Sequence, residues 1–366
     1  MTAPEGTPFY VCQTRVAAPV GPVGFCSGDA SLEEGSLQAY VEIDGADGFK
    51  GGSRSPAVPG QPAIEGVIKA TSICHGLARS DATDPRLVHR PYTVIARRDR
   101  SGPQLLTAMD LGANLTVTVH YFAPSVENQE LAVTSRVELA NARLVLVEFF
   151  TAPDPEHLGS AAEFIRFSLL YTRFVSTDLP RGLVTELDPP TAFLPLEPAI
   201  PCVAAGPVGD GVFAEAIIGG SRVGGDDLDP SLREPSIRVH AACIRFERAY
   251  VGPLLSSTPI RPGPLHLVKA SPDTATPAIL KGLAQHQVTS FHLRHYGRLE
   301  DGSGSPNPIV TDANDVFSNG VITGYEQFLQ DGLALERLTI RYHQFRQDWV
   351  RGSDAYEYLW ESPPEP

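Results

Sequence analysis

The sequence predicts a mainly β protein made of two tandem copies of one small domain, each with one short α-helix. Three observations predict it. Glycine and proline, 33 of each in 366 residues, punctuate the chain as turns and exposed loops do. Between them lie short runs rich in β-branched and aromatic residues, such as Ala142-Arg-Leu-Val-Leu-Val-Glu-Phe-Phe150. One order of segments also occurs twice, at a spacing of about 175 residues, far longer than a solenoid period, so whole domains are duplicated.

The first copy opens with Gln38-Ala-Tyr-Val-Glu-Ile-Asp44-Gly45, and its expected counterpart is Phe213-Ala-Glu-Ala-Ile-Ile-Gly-Gly220. A Gly/Ser/Pro-rich loop follows each, over 46–65 and 221–235, and then a strand, over 67–75 and 237–247. Next come a strand, a polar turn and a short helix. In copy one they run from His89-Arg-Pro91 to Pro103-Gln-Leu-Leu106, and in copy two from Pro264-Leu-His266 to Pro277-Ala-Ile-Leu280. Pro103 and Pro277 sit at the same place, and proline suits the first helical position because its missing N–H costs nothing there. Thr276 is expected to cap the second helix. Leu105, Leu106 and Met109 form one expected buried helix face, and Ile279, Leu280 and Leu283 the other. Alternating strands follow around 117–121 and 291–295, longer ones over 137–150 and 315–328, and closing ones from Glu163 and from Glu336.

The expected organisation is an extension over 1–35, a first domain over 36–177, a linker over 178–210, a second domain over 211–350 and a tail over 351–366. The linker holds Pro180, Pro189, Pro190, Pro195, Pro198, Pro201 and Pro207, which makes it stiff. The formal charge of −14 argues against a nucleic-acid partner, which needs clustered basic residues. The start lacks a basic head and apolar run, and no stretch nears the roughly 18 apolar residues of a membrane span. The expectation is synthesis in a bacterial cytoplasm, with any export through a dedicated machine. Cys12, Cys26, Cys74, Cys202 and Cys243 include no CxxC pair, so no zinc site is indicated. Most read as small buried apolar side chains, with a Cys12–Cys26 bond across a loop as the alternative.

Catalytic motifs are missing: there is no GxSxG, HExxH or Walker sequence. Gly219-Gly-Ser-Arg-Val-Gly-Gly225 reads as a loop. His292 and His295, three apart on a strand, face opposite sides and do not share a metal. His89 and His266 are expected at a surface or interface. Asp154, Glu156 and His157 read as a solvated loop rather than a cation site. No catalytic residue, cofactor or metal is expected, and the protein is not expected to be an enzyme.

Several stretches of copy one carry a resemblance: Ala39-Tyr-Val-Glu-Ile-Asp-Gly45, His89-Arg-Pro-Tyr-Thr-Val94, the turn and helix through Pro103-Gln-Leu-Leu106, and the closing strand over 163–171. Copy two keeps Pro264-Leu-His-Leu-Val-Lys269, Pro277, Leu280 and the strand over 336–345. The pattern resembles the haemolysin-coregulated protein (Hcp) family, the inner-tube subunit of type VI secretion. The resemblance implies small β-barrels with one helix each, packed side by side into rings with a wide channel. Family rings hold six single domains, so a fused pair implies a pseudo-hexameric ring of three chains. The tube-like domains of a VgrG-type spike base are also two per chain, which makes a hub role the neighbour of a tube role. The implied partners are further copies of the chain, tube, sheath, hub or spike proteins, and cargo effectors in the lumen, with no nucleic acid and no direct membrane insertion. By analogy with the family's extended loop, the loop over 46–65, with Phe49, Lys50, Arg54, Ser55 and Gln61, is the candidate ring-stacking contact. The alternative is a duplicated barrel pair that serves as a binding or adaptor module and forms no tube.

Overall fold

The computed structural model describes residues 9–15, 38–45, 49–58, 62–79, 87–124, 131–153, 161–187, 190, 192–196, 198–202, 211–252, 254–255, 258–298, 309–330, 332–350 and 354–359. The first half of the chain forms strands β1 (Phe9–Arg15), β2 (Gln38–Asp44), β3 (Ser53–Arg54), β4 (Glu65–Arg79), β5 (Leu87–His89) and β6 (Tyr92–Arg97). Helix α1 (Ser101–Leu111) follows, then β7 (Leu115–Pro124), β8 (Leu131–Pro153), β9 (Ala161–Leu170), β10 (Arg173–Asp178), β11 (Leu183–Leu187) and β12 (Ala192–Phe193). The second half forms β13 (Val212–Ile218), β14 (Ser221–Val223), β15 (Asp227–Leu228), β16 (Pro235–Glu247), β17 (Tyr250–Val251), β18 (Leu254–Leu255), β19 (Arg261–Pro262) and β20 (Leu265–Ala270). Helix α2 (Thr276–Ala284) precedes β21 (Thr289–Arg298), β22 (Ile309–Gln330), β23 (Leu333–Arg341), β24 (Gln344–Trp349) and β25 (Asp354–Leu359). The mainly β class with two short helices is thus as the sequence predicts.

The chain divides into two compact units. One comprises 1–147, 165–199 and 247–260, and the other 148–164, 200–246 and 261–366. In the first unit β2 pairs with β4 and β7, β4 with β6, β6 with β9, β7 with β8, β8 with β10, and β10 with β11. In the second unit β13 pairs with β16 and β21, β16 with β20, β20 with β23, β21 with β22, β22 with β24, and β24 with β25. The two schemes are the same graph, with the helix between the same two strands.

The irregularities repeat as well. The ladder of β4 with β6 bulges between Ala70 and Ser72, and that of β16 with β20 between Val239 and Ala241. The β7–β8 ladder bulges at Leu115/Val117 and Tyr121/Phe122, and the β21–β22 ladder at Thr289/Phe291 and His295/Tyr296. Asn141 on β8 and Asn319 on β22 both take positive φ, at 49° and 54°, a conformation that asparagine tolerates better than most residues. A bulge places an unpaired residue where the strand must bend. Three shared bulges therefore mean shared curvature.

Register corrects the expected alignment of the opening strands. Ile43 lies opposite Val117, and Ala216 opposite Phe291, so Ala39 corresponds to Val212 and the expected counterpart is off by two residues. A shift of two keeps every side chain on its face, which is why the apolar pattern tolerated it. Ala39, Val41 and Ile43 are buried, as are Val212, Ala214 and Ala216.

The helices differ from expectation in detail. Pro103 is the third residue of α1 and Pro277 the second of α2. Both still fall in the first turn, whose N–H groups have no partner within the helix. The cap of α2 comes from Asp273 rather than Thr276: its Oδ1 accepts from the backbone N–H of Ala275 at 3.0 Å and of Thr276 at 3.1 Å. Asp99 does the same for α1, accepting from Ser101 N at 2.8 Å. Leu105, Leu106 and Met109 of α1 are fully buried as expected, but Leu280 of α2 is 40% exposed. Ile279 and Gly282 form the buried face of α2 instead. A Cβ on Gly282 would stand 2.6 Å from Ile218 Cγ2, so glycine lets the helix roll close to β13 and turns Leu280 outward.

The cysteines are also corrected. Cys202 and Cys243 form a disulfide, and Cys74 is disulfide-bonded too. They are not free apolar side chains. The Cys12–Cys26 bond lies outside the described residues.

Candidate assembly surface

The loop between β2 and β4 is held to its own unit by a chain of specific contacts. Gly51 crosses directly over the start of β4: its N–H donates to Gly66 O at 2.6 Å, and a Cβ there would meet Val67 O at 2.3 Å. Only glycine fits so close an approach. Gly52 N donates to Asp99 Oδ2 at 2.6 Å, Lys50 N to Gln104 Oε1 at 2.7 Å, and Arg100 Nε to Gly51 O at 2.9 Å. Asp99 thus caps α1 with one oxygen and grips the loop with the other. Burial raises the Asp99 carboxyl above the usual carboxylate range, against the hydrogen bonds from Ser101 and Gly52 that pull it down.

Beyond the glycines the loop turns back as a hairpin. Ser53 and Arg54 pair with Val67 and Glu65. Ser55 N donates to Ile64 O at 2.9 Å, and Ile64 N donates to Ser55 Oγ at 2.8 Å. Val58 and Ile64 pack on Tyr40, Val67 and Phe122. Of the five candidate contact residues, Lys50 and Arg54 are exposed, Phe49 is half-buried and Ser55 is buried; Gln61 lies outside the described residues. Ser55 therefore braces the hairpin and presents no side chain to a partner. Arg54 and Glu65 form an exposed ion pair at 2.8 Å.

The equivalent loop of the second unit uses the same device with different side chains. Gly219 and Gly220 take positive φ in the tight turn from β13 to β14, so the glycine-rich run, read from the sequence as a loop, is a hairpin turn that leads into the short strand β14. Gly224 and Gly225 pass over the start of β16, where added Cβ atoms would lie 2.7 Å from Pro235 O and Ser236 O. Asp229 is fully buried and fixes the turn. Its Oδ1 accepts from Ser231 N and Leu232 N at 2.9 Å each and from Tyr296 Oη at 2.7 Å, while Oδ2 meets Arg294 at 3.3 Å. On this rigid turn Leu228 and Leu232 stand 57% and 46% exposed. One loop thus offers charge and the other offers apolar surface.

The other sequence-marked residues serve packing. Asp44 is exposed at the end of β2. Leu115 packs against Gly45, where a Cβ would come within 2.9 Å of it. Pro91, Pro103 and Leu106 are buried, Pro264 is half-buried and Pro277 is exposed. His89 is not at a surface. It lies on β5, outside the strand equivalent to that of His266, and is 1% exposed. Its Nδ1 lies 2.7 Å from Tyr171 Oη, which also meets His75 Nε2 at 2.6 Å. Phe193 of β12, which pairs with β5, lies edge-on to both the His89 and the Tyr171 rings.

Two further buried polar groups escaped the sequence reading. Lys269 on β20 meets Asp273 at 2.7 Å and Glu336 at 2.5 Å, and Thr276 Oγ1 donates to Glu336 Oε2 at 2.9 Å. Burial pushes the Glu336 carboxyl up, but the bonds from Lys269, Ser271 and Thr276 outweigh it and leave it below its usual range. His295 is buried between Glu163, 2.7 Å from Nδ1, and Asp315, 3.1 Å from Nε2. His292, on the opposite face, is half-buried. A pattern cue existed for the first group: both helices follow Asp-x-x-x-Pro, at Asp99 to Pro103 and at Asp273 to Pro277. Among the described residues no group of three or more His, Cys, Asp or Glu is placed to hold a metal ion; Asp154, Glu156 and His157 lie outside them. No helix among the described residues is long and apolar enough to cross a membrane.

Solved structures similar to this chain include Hcp proteins and a type six secretion system protein, in line with the family that the sequence resembles. A mutant Hcp1 protein from the EAEC 042 pathovar of E. coli is 20% identical, and the match covers 41% of this chain and 99% of that one with a TM-score of 0.36. The secreted protein Hcp3 from Pseudomonas aeruginosa is 12% identical over 41% of this chain and 99% of its own, with a TM-score of 0.32. Hcp1 from Salmonella typhimurium is 15% identical over 41% and 96%, with a TM-score of 0.30. No protein-family model and no curated protein sequence matches the chain.

Proposed function

We propose that this chain is a structural subunit of a contractile injection machine of the type VI secretion kind, where it forms a ring of the inner tube or of the hub. One observation carries the reading: the chain holds two units with one strand-pairing scheme, down to three shared bulges. If a ring of this kind needs six such units, three chains supply them, in a threefold ring with pseudo-sixfold symmetry. The work is assembly rather than chemistry. The partners are further copies of the chain, neighbouring tube, sheath, hub or spike proteins, and cargo in the channel. Synthesis is cytoplasmic, with export by the machine itself.

The two anchored loops are the contacts proposed for stacking. Lys50 and the Arg54–Glu65 pair present charge on one, and Leu228 and Leu232 present apolar surface on the other. Two unlike loops per chain favour a ring whose contacts alternate, which suits a hub or adaptor ring better than a uniform tube. Light scattering on the purified chain tests the reading. A particle of three times the chain mass of 39.3 kDa is expected. A strictly monomeric protein at high concentration overturns it in favour of the adaptor module.

A further inference from the structure

Cys74 lies on β4 and Cys243 on β16, and register makes them equivalent. Cys74 faces Thr93 in the ladder that bulges after Ala70, and Cys243 faces His266 in the ladder that bulges after Val239. Both side chains are buried, and both are held in disulfides. The partner of Cys243 is Cys202, which belongs to the stretch leading from β12 into β13 rather than to a strand of the repeat. That stretch is seated by Ile200 N, which donates to Glu148 Oε1 at 2.9 Å. The bond therefore fastens the chain just ahead of the second repeat to the second strand of that repeat. The first repeat has a matching arrangement: the backbone of β1 runs along β4 with Val11 opposite His75 and Thr14 opposite Ile73. The two remaining cysteines of the sequence, Cys12 and Cys26, both precede the first repeat.

We propose that the two disulfides are one device used twice: each clamps the segment ahead of a repeat to the same position on that repeat's second strand, and the clamps close only where a disulfide oxidant is present. Each bond forms as two thiols give up two protons and two electrons. The electrons reduce a thiol–disulfide oxidant, either a protein disulfide or an oxidised low-molecular-weight disulfide. Cys74 then bonds Cys12 or Cys26, which excludes a Cys12–Cys26 bond and leaves one thiol per chain. Reducing compartments keep thiols open and oxidising ones let such bonds persist, so the clamped form is that of the protein outside the reducing cytoplasm. Each bond closes a loop that runs from ahead of the repeat to its second strand, with Cys202 and Cys243 41 residues apart, which restricts the unfolded chain and favours the folded one. The inference does not rest on the assembly reading.

Thiol counting on the full chain, folded under an oxidising glutathione couple, tests it. After denaturation without reductant, maleimide is expected to label one cysteine, and after reduction five. The unreduced digest is expected to contain Cys202 bonded to Cys243 and Cys74 bonded to Cys12 or Cys26. Three or more labelled thiols, or a Cys12–Cys26 or Cys74–Cys243 bond, overturns the proposal. Reductant is expected to lower the melting midpoint by several degrees, to that of a Cys74→Ser/Cys202→Ser variant, which no longer responds to reductant. If the wild-type midpoint stays put once the bonds are broken by mass, the clamping role is wrong, whether or not the variant folds.

Discussion

Tyr171 joins two buried histidines through one hydroxyl, which donates to one ring and accepts from the other when both are neutral, while the second nitrogen of His89, Nε2, is buried without a partner. Burial, then the nearby His89, lowers His75 to about 3. Burial lowers His89 to about 4. The unfolded rings titrate near 6.5, so the unfolded chain takes up protons first as acid is added. The contribution is whole above pH 6.5 and is lost as pH falls toward 4, at up to about 1.4 kcal/mol per pH unit for each ring. Urea midpoints measured from pH 7.5 to 4.5 should fall more steeply for the wild type than for His75→Gln/His89→Gln; equal slopes would contradict this. Lys269 and Glu336 make a second test, because their side chains are 1% and 0% exposed. Lys269→Met leaves a buried carboxylate without its cation and should cost about 3–5 kcal/mol in denaturant titration, while adding Glu336→Leu should recover most of it. Neither group was legible as a site in the sequence. His89 looked like the start of the strand that follows, yet Pro91 ends that run and leaves the histidine on β5, where Phe193, distant in sequence, covers it.

The loop between β2 and β4 shows how far pattern reading reaches. Its glycines, serines and prolines marked it as a loop, and only the family resemblance made it a candidate contact. The hairpin hidden inside it depends on Ser55 bonding Ile64 and on Asp99 reaching Gly52, pairings that no local periodicity encodes. Asp99→Ala should cost about 1–2 kcal/mol through loss of the cap, and it should raise hydrogen exchange at Gly51 and Gly52 beyond the change at α1 itself. Lys50→Glu/Arg54→Glu touches neither cap nor core. It should leave the melting temperature within error while weakening association in sedimentation, and equal association would remove this loop from the proposed contact. The order of strands from β2 to β9 and from β13 to β23 was legible in outline, as were both helices, because burial of one face imposes its period on each element, whereas β10, β11, β24 and β25 follow the expected closing strands and were not read. The two-residue slip in the opening strand and the roll of α2 were not: the first preserves that period, and the second depends on how closely Gly282 meets Ile218.

The two units of the chain share a pairing scheme, but neither is a continuous stretch of sequence. The first takes in 247–260, where Arg248 bonds the Met109 and Asp110 carbonyls at the end of α1 at 2.6 and 2.9 Å, a favourable place for a cation. The second takes in 148–164, where Glu163 meets His295 and Thr151 Oγ1 accepts from Ala242 N at 3.2 Å. The two units therefore do not coincide with the two halves of the sequence. Separately expressed 1–199 and 200–366 should each lack cooperative melting, whereas the whole chain should melt in one transition. A sharp melt from either half would contradict this. The most direct test of a ring-forming role is negative-stain electron microscopy of the purified, oxidised chain. Rings with a central channel, six lobes and threefold symmetry in their class averages are predicted, and a field of isolated two-lobed particles at every concentration would contradict it.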